Sequence, residues 1–190
     1  MSRYSLSVDG VGLWTLAPGP TWSIGGPGSG ADLELLASLP SRAAELTFRD
    51  GEYRWTQEGD DRPAPLRDSQ EIPLRGGSRL EFLRPHPWSY AATLKPVGAR
   101  PADGSDGLIL WTGPCVLGPE TDSHVVCRDW AEAVTLFRWD DGPRWRLLDA
   151  AGPQPVNRMH DETLIETETA RVLVSHVENR LRNTAGHTAG

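Results

Sequence analysis

Catalysis or metal ligation in this 190-residue sequence would have to begin from five histidines, two cysteines and a few short polar runs. His86 stands between two prolines, His124 in a strand-like run, His160 in a loop, His176 near the last strand-like run and His187 in the tail. None is spaced for ligation beside acidic partners, so the pattern argues against a zinc or iron centre. Asp122-Ser123-His124 supplies the residue types of a nucleophilic triad. Triad members, however, meet in space from different elements, and neighbours on a strand point to opposite faces. His124 therefore reads as a structural residue. Cys115 and Cys127 have eleven residues between them, not the Cys-x-x-Cys spacing of redox or zinc sites, and are expected to be reduced and packed. The glycine-rich stretch 25–30 lacks the Lys-Ser/Thr pair of a phosphate-cradling loop and reads as a turn. The acidic runs 58–61 and 161–162 read as solvated loops. The expectation is of no catalytic residue, no metal and no cofactor.

Composition narrows the partners. The net charge is −7 and the pI about 5.2. Such a balance argues against nucleic acid and against anionic membrane surfaces, both of which need a positive field. No run approaches the ~20 apolar residues of a spanning helix, and Met1-Ser2-Arg3-Tyr4 leads into no apolar run of signal-peptide length. A cytoplasmic location is the resulting expectation. With 38% hydrophobic and 24% charged residues the chain is apolar enough to fold.

The elements that must position these residues are short. Strand-like runs, bounded by the 20 Gly and 16 Pro, fall at 4–8, 12–16, 21–24, 32–35, 44–48, 53–56, 69–72, 79–83 and 89–94. They resume at 108–111, 115–117, 124–127, 133–139, 144–148, 163–166 and 171–177. Between them, 95–107 is rich in Pro, Gly and Asp, as a linker would be. Residues 175–182 could form a short helix, and 183–190 read as a disordered end. The halves also repeat at an offset near 93 residues. Ser23-Ile24-Gly25-Gly26 before Ala31-Asp32-Leu33 parallels Val116-Leu117-Gly118-Pro119 before His124-Val125-Val126. Leu46-Thr47-Phe48-Arg49-Asp50-Gly51 parallels Leu136-Phe137-Arg138-Trp139-Asp140-Asp141-Gly142, and each Asp-Gly predicts a hairpin.

The order of landmarks in the first half resembles a forkhead-associated (FHA) domain. The matching segments are Ile24-Gly25-Gly26, Ala31-Asp32-Leu33, Leu39 to Leu46, Arg49-Asp50-Gly51, and Leu74-Arg75-Gly76-Gly77-Ser78-Arg79-Leu80. The second half is similar but more eroded. The resemblance implies an all-β protein of two FHA-like (SMAD/FHA-type) β-sandwich domains in tandem, at 1–97 and 107–182 with a linker at 98–106. Such domains hold a phosphothreonine through an Arg, a Ser and an Asn, with a His bracing the loop. On this chain those positions carry Gly26, Pro40, Leu66-Arg67-Asp68 and Ala43. In the second copy Pro119 replaces the Arg, while Val156-Asn157 resembles the family's Val-Asn. Lacking charge-assisted donors, the site argues against ordinary phosphopeptide binding. Ser41 and Arg42, shifted by one position, could be re-aimed with Arg67 towards an anion if they cluster at one loop end.

The resemblance therefore implies a non-enzymatic protein-interaction adaptor or scaffold. Alternatives are a structural subunit of a larger bacterial assembly and an atypical phosphopeptide-binding module. Eight tryptophans exceed what two small cores need. One to three are expected on the surface as contact anchors, with Trp88 and Trp130 the candidates. The candidate interaction loops thus carry Gly26, Ser41, Arg42, Arg67, Trp88, Trp130 and Asn157.

Overall fold

The computed structural model describes residues 3–86 and 88–177. Among them the chain is all-β, with no helix. Ten strands span the first half: β1 (Arg3–Val8), β2 (Gly12–Pro18), β3 (Thr21–Gly25), β4 (Leu33–Glu34), β5 (Ala44–Arg49), β6 (Glu52–Gln57), β7 (Ala64–Pro65), β8 (Gln70–Pro73), β9 (Arg79–Leu83) and β10 (Ala92–Val97). Nine follow: β11 (Gly107–Trp111), β12 (Cys115–Gly118), β13 (Val125–Val126), β14 (Ala133–Trp139), β15 (Gly142–Asp149), β16 (Gly152–Pro153), β17 (Asn157–Arg158), β18 (Glu162–Glu166) and β19 (Arg171–Val177).

An eight-stranded sheet runs through the molecule in the order β18-β19-β1-β2-β11-β10-β9-β8. At its centre β2 and β11 pair in parallel, Trp14 opposite Gly107 through Pro18 opposite Trp111, the offset of 93 residues at which the sequence repeats. Each flanking strand is antiparallel to its neighbour, so the order reads alike outwards from the centre. Alternation on β11 then divides the core. Leu108 and Leu110 join Trp22, Leu46, Trp55 and Phe82 in one cluster, while Ile109 and Trp111 join Leu6, Leu16, Leu117 and Leu136 in the other. The sheet β4-β3-β5-β6-β7 closes the first cluster, and the β13-β12-β14-β15-β16 sheet, with β17 on β15, closes the second on the opposite face.

Neither sandwich is built from one contiguous stretch. β1 pairs with β19 along its whole length, Arg3 opposite Val177 to Val8 opposite Val172. It thereby takes, beside β19, the place that β10 takes beside β9. Leu6, Val8, Trp14 and Leu16, from the segment 1–97, lie in the second core, and Leu108 and Leu110, from 107–182, lie in the first. Residues 98–106 are not a free tether. Leu36 N–H donates to Arg100 O (2.8 Å), Ala102 N–H to Glu34 O (2.8 Å), and Leu13 N–H to Asp106 Oδ2 (2.9 Å). Strand β10 also continues through Lys95, Pro96 and Val97 against β9, into the stretch expected as linker. Proline is tolerated there because the β11 ladder on the other side ends at Leu94.

Both expected Asp-Gly hairpins form, though with different turns, and one further expectation needs correction. The second hairpin turns on Asp140-Asp141 with Trp139 opposite Gly142, and the positive φ falls on Gly142 (123°) at the start of β15. In the first hairpin Asp50 (53°) and Gly51 (81°) share the turn itself. Residues 175–177, expected to enter a helix, finish β19, and the rest of that segment and the expected disordered end lie outside the described residues.

Since β1 is shared in this way, Leu6→Ala should lower stability by about 2–5 kcal/mol, as for a fully buried leucine. Urea unfolding followed by tryptophan fluorescence should show one transition at lower denaturant. Two separated transitions would refute a single cooperative unit.

Candidate functional site

The loops at which the resemblance places a phosphate site are closed by backbone. Gly26 N–H donates to Pro40 O (3.0 Å), and a Cβ on Gly26 would collide with the Leu39 carbonyl oxygen. Gly25 is held likewise against the Ser41 carbonyl. The two glycines permit this close approach, and no side chain fits where an arginine would start. Beyond them, the Gly28 and Gly30 amides donate to the Glu34 carboxylate (2.8 and 2.6 Å), so the glycine-rich turn already holds an internal anion.

The expected anion-binding residues do not converge. Ser41 is exposed, and Arg42, also exposed, pairs with Glu45. Arg42 lies beside the Gln57 end of β6, where Glu58 N–H donates to Ala43 O, whereas Arg67 follows Leu66, which donates to Tyr53 O. Four residues of strand, about 13 Å, separate those ends. Asn157 spends its side-chain amide on Pro155 O (3.0 Å), two residues away, and stands on β17, away from β13 in the sheet.

Of the two candidate tryptophans, Trp88 is 88% exposed, whereas Trp130 is buried at 6% and belongs to the second core. Trp130 packs there because its own N–H closes a turn onto Cys127 O (3.1 Å), folding the indole inwards beneath a recess rimmed by Asp9–Val11 and Arg128. The surface tryptophan of the second half is instead Trp139, 55% exposed. Its signal was present in the repeat: Thr47 and Arg49 on the outer face of β5 correspond to Phe137 and Trp139 on β14. Two aromatics at period 2, on the face opposite Val134 and Leu136, are not needed by the core.

Phe137 and Trp139 stand side by side, ring centroids 5.7 Å apart, and the Arg144 guanidinium lies 4.9 Å over the Trp139 ring. They line a groove of about 590 Å³ between the two covering sheets, with Phe48, Trp111, Arg138 and Arg146. Tyr90 extends the aromatic surface at the far wall, 5.4 Å from Phe48. The floor is fixed by hydrogen bonds. Tyr53 O–H donates to Tyr90 O (2.6 Å) beside Thr112 Oγ1, which donates to the same carbonyl (2.6 Å). Ser89 Oγ donates to Pro114 O and accepts Ala91 N–H (2.9 Å). Burial pushes the Tyr53 phenol well above its usual range, so it stays a neutral donor.

His124 is part of the same junction. Its Nδ1 accepts Val116 N–H (3.0 Å), which fixes the proton on Nε2, and Nε2–H donates to Ala91 O (3.0 Å). Burial first, with His86 stacked 6.1 Å away, lowers its pKa from 6.5 to about 4. The ring is a neutral clamp between the two halves. Both cysteines are buried free thiols, and burial raises Cys127 to about 12 and Cys115 further, so neither is a ready nucleophile. Among the described residues no group of His, Cys, Asp and Glu is arranged to hold a metal, and no helix is long and apolar enough to cross a membrane.

No family model, curated protein or solved structure matches the chain.

Two outcomes test this geometry. The folded-state pKa of His124 lies below the unfolded value, so its contribution is complete above about pH 6.5 and is lost as pH falls towards 4, about 3 kcal/mol in all. Urea midpoints measured across that window should fall more steeply for the native chain than for His124→Gln. Equal slopes would show that His124 does not titrate this way. At the closed loop, Gly26→Arg should destabilise by at least about 1 kcal/mol through displacement of the Leu39–Pro40 backbone. It should also leave phosphothreonine peptides unbound in calorimetry, and binding would show that the loop can open.

Proposed function

We propose that the chain is a non-enzymatic protein-interaction adaptor or scaffold, made of two FHA-like sandwiches that lack the family's phosphothreonine residues and recognise partners at the groove between them. The observation that carries this reading is the exposed Trp139 packed against the half-buried Phe137 in a groove whose floor is fixed in advance by Tyr53, Thr112 and Ser89. Exposed aromatics on a rigid support are the usual anchors of protein contacts, since little side-chain or loop entropy is lost on binding. The closed Gly26 loop and the separated Arg42 and Arg67 favour this face over an atypical phosphopeptide site. A purely structural subunit would be expected to present a broad apolar patch. The exposed Leu36, Leu83 and Leu164 instead lie apart in the chain's pairing, in the loop after β4, on β9 and on the edge strand β18.

A photoreactive phenylalanine analogue placed at Phe137, in the full chain expressed in its own cells, should crosslink to a discrete protein partner. The same probe at Leu164, on the edge strand β18, should not, and Trp139→Ala should abolish the Phe137 crosslink while the urea midpoint stays within experimental error. Equal labelling from both positions would contradict the reading.

A further inference from the structure

We infer that the groove binds an extended acidic peptide segment of a partner, met by Arg146 on one face of the β14 edge and Arg138 on the other, and paired in part through the Arg138 backbone. This rests on the adaptor reading and adds the chemistry of the occupant. The first observation is charge. In a chain of net charge −7, nine of the sixteen described arginines pair with carboxylates; of the seven that do not, Arg138 and Arg146 are the two that line the groove, and both are exposed. Arg144 is held by Asp141, which also accepts Arg158 (2.5 Å), so those two guanidiniums are already engaged. By alternation Arg146 shares the outer face of the sheet with Phe137 and Trp139, while Arg138 points to the face of Leu136. A strand laid along this edge would meet a guanidinium on either face, and an apolar side chain would meet the rings on the outer one.

The second observation is an open strand edge. β12 pairs with β14 only as far as Cys115 opposite Leu136, so β14 continues through 137–139 without a neighbour on that side. Opposite Arg138 on β15 is Pro143, which has no N–H and whose carbonyl accepts Met159 N–H (3.0 Å) on the far side. Arg138 and Pro143 are therefore a non-hydrogen-bonded pair, and the N–H and C=O of Arg138 point away from β15 towards the groove. No backbone partner meets them among the described residues. In the first half the corresponding edge is closed, because Phe48 N–H donates to Pro20 O (2.7 Å). In the second half the chain before β12 turns aside and Pro114 O takes the Ser89 hydroxyl instead. An extended backbone is the ligand that fills one open strand position, and neighbouring side chains then reach the aromatic wall.

The full chain is to be panned against a displayed library of random peptides about a dozen residues long, with selected sequences resynthesised for calorimetry. The expected result is enrichment of Asp or Glu next to an apolar residue. The double variant Arg138→Glu, Arg146→Glu should bind those peptides at least about tenfold more weakly and enrich Lys or Arg instead. N-methylation at one peptide position should abolish binding, marking the residue that pairs with Arg138. Groove-dependent peptides that are neutral and indifferent to charge reversal would overturn the acidic occupant while leaving the adaptor reading intact. Peptides whose binding survives Phe137→Ser and Trp139→Ala, or no enrichment at all, would overturn both.

Discussion

The parallel pairing of β2 with β11 is the constraint on which the rest of the architecture depends. A parallel strand at the middle of a sheet is stable when both of its faces are covered. β11 is buried at every residue, Gly107 to Trp111, and its successive side chains feed two different cores. Two covering sheets on opposite faces follow from that alternation, as does a junction where β11 leaves the centre and must cross from one to the other. The crossing is made in three residues, Thr112-Gly113-Pro114. Gly113 eases the crossing, since a Cβ would sit a tight 3.0 Å from the Tyr90 nitrogen. The groove is thus a by-product of how the central strand exits, with β14 overrunning the short β12 beside it.

The same crowding explains why one candidate surface is sealed and another open. In the first half, backbone fills the space about Gly26 and Glu34 satisfies the glycine amides, so polar groups there are satisfied internally. Around Arg138 the polar groups are left facing outwards, beside rings that the core does not use. His124, Ser89 and Tyr53 hold the walls apart by hydrogen bonds of defined direction. Their role is to keep a concave surface in one shape, which lowers the entropy lost when something is seated in it.

Much of the secondary structure was legible in the sequence because local alternation determines it: 133–139 and 171–177 begin and end where the pattern does. Pairing partners were not legible. Period 2 tells which face Leu6 and Val8 occupy but not that the neighbour of β1 is β19, some 170 residues away. Residues 98–106 have the composition of a tether, yet Asp103 and Asp106 use that polarity to bind Thr15 and Leu13. Trp130, flanked by charges, looked like a surface residue, and only a turn onto Cys127 reveals that it points inwards. Trp139 was written in the comparison of the two halves, where polar outer positions of one copy become aromatic in the other. Whether an aromatic faces solvent depends on what lies across from it, which is tertiary information.

The antiparallel ladder between β1 and β19 also sets an order of events during synthesis. β1 emerges from the ribosome first, and Leu6 and Val8 have no permanent cover until the second half is made. From the making of β1 to the making of β19 the nascent chain therefore carries an unpaired strand edge with an apolar face, a state prone to mispairing with a neighbouring nascent chain. The last residues of β19 close the second core as a clasp closes a band, so a ribosome that stalls shortly before Val177 leaves the first core complete and the second open along β1.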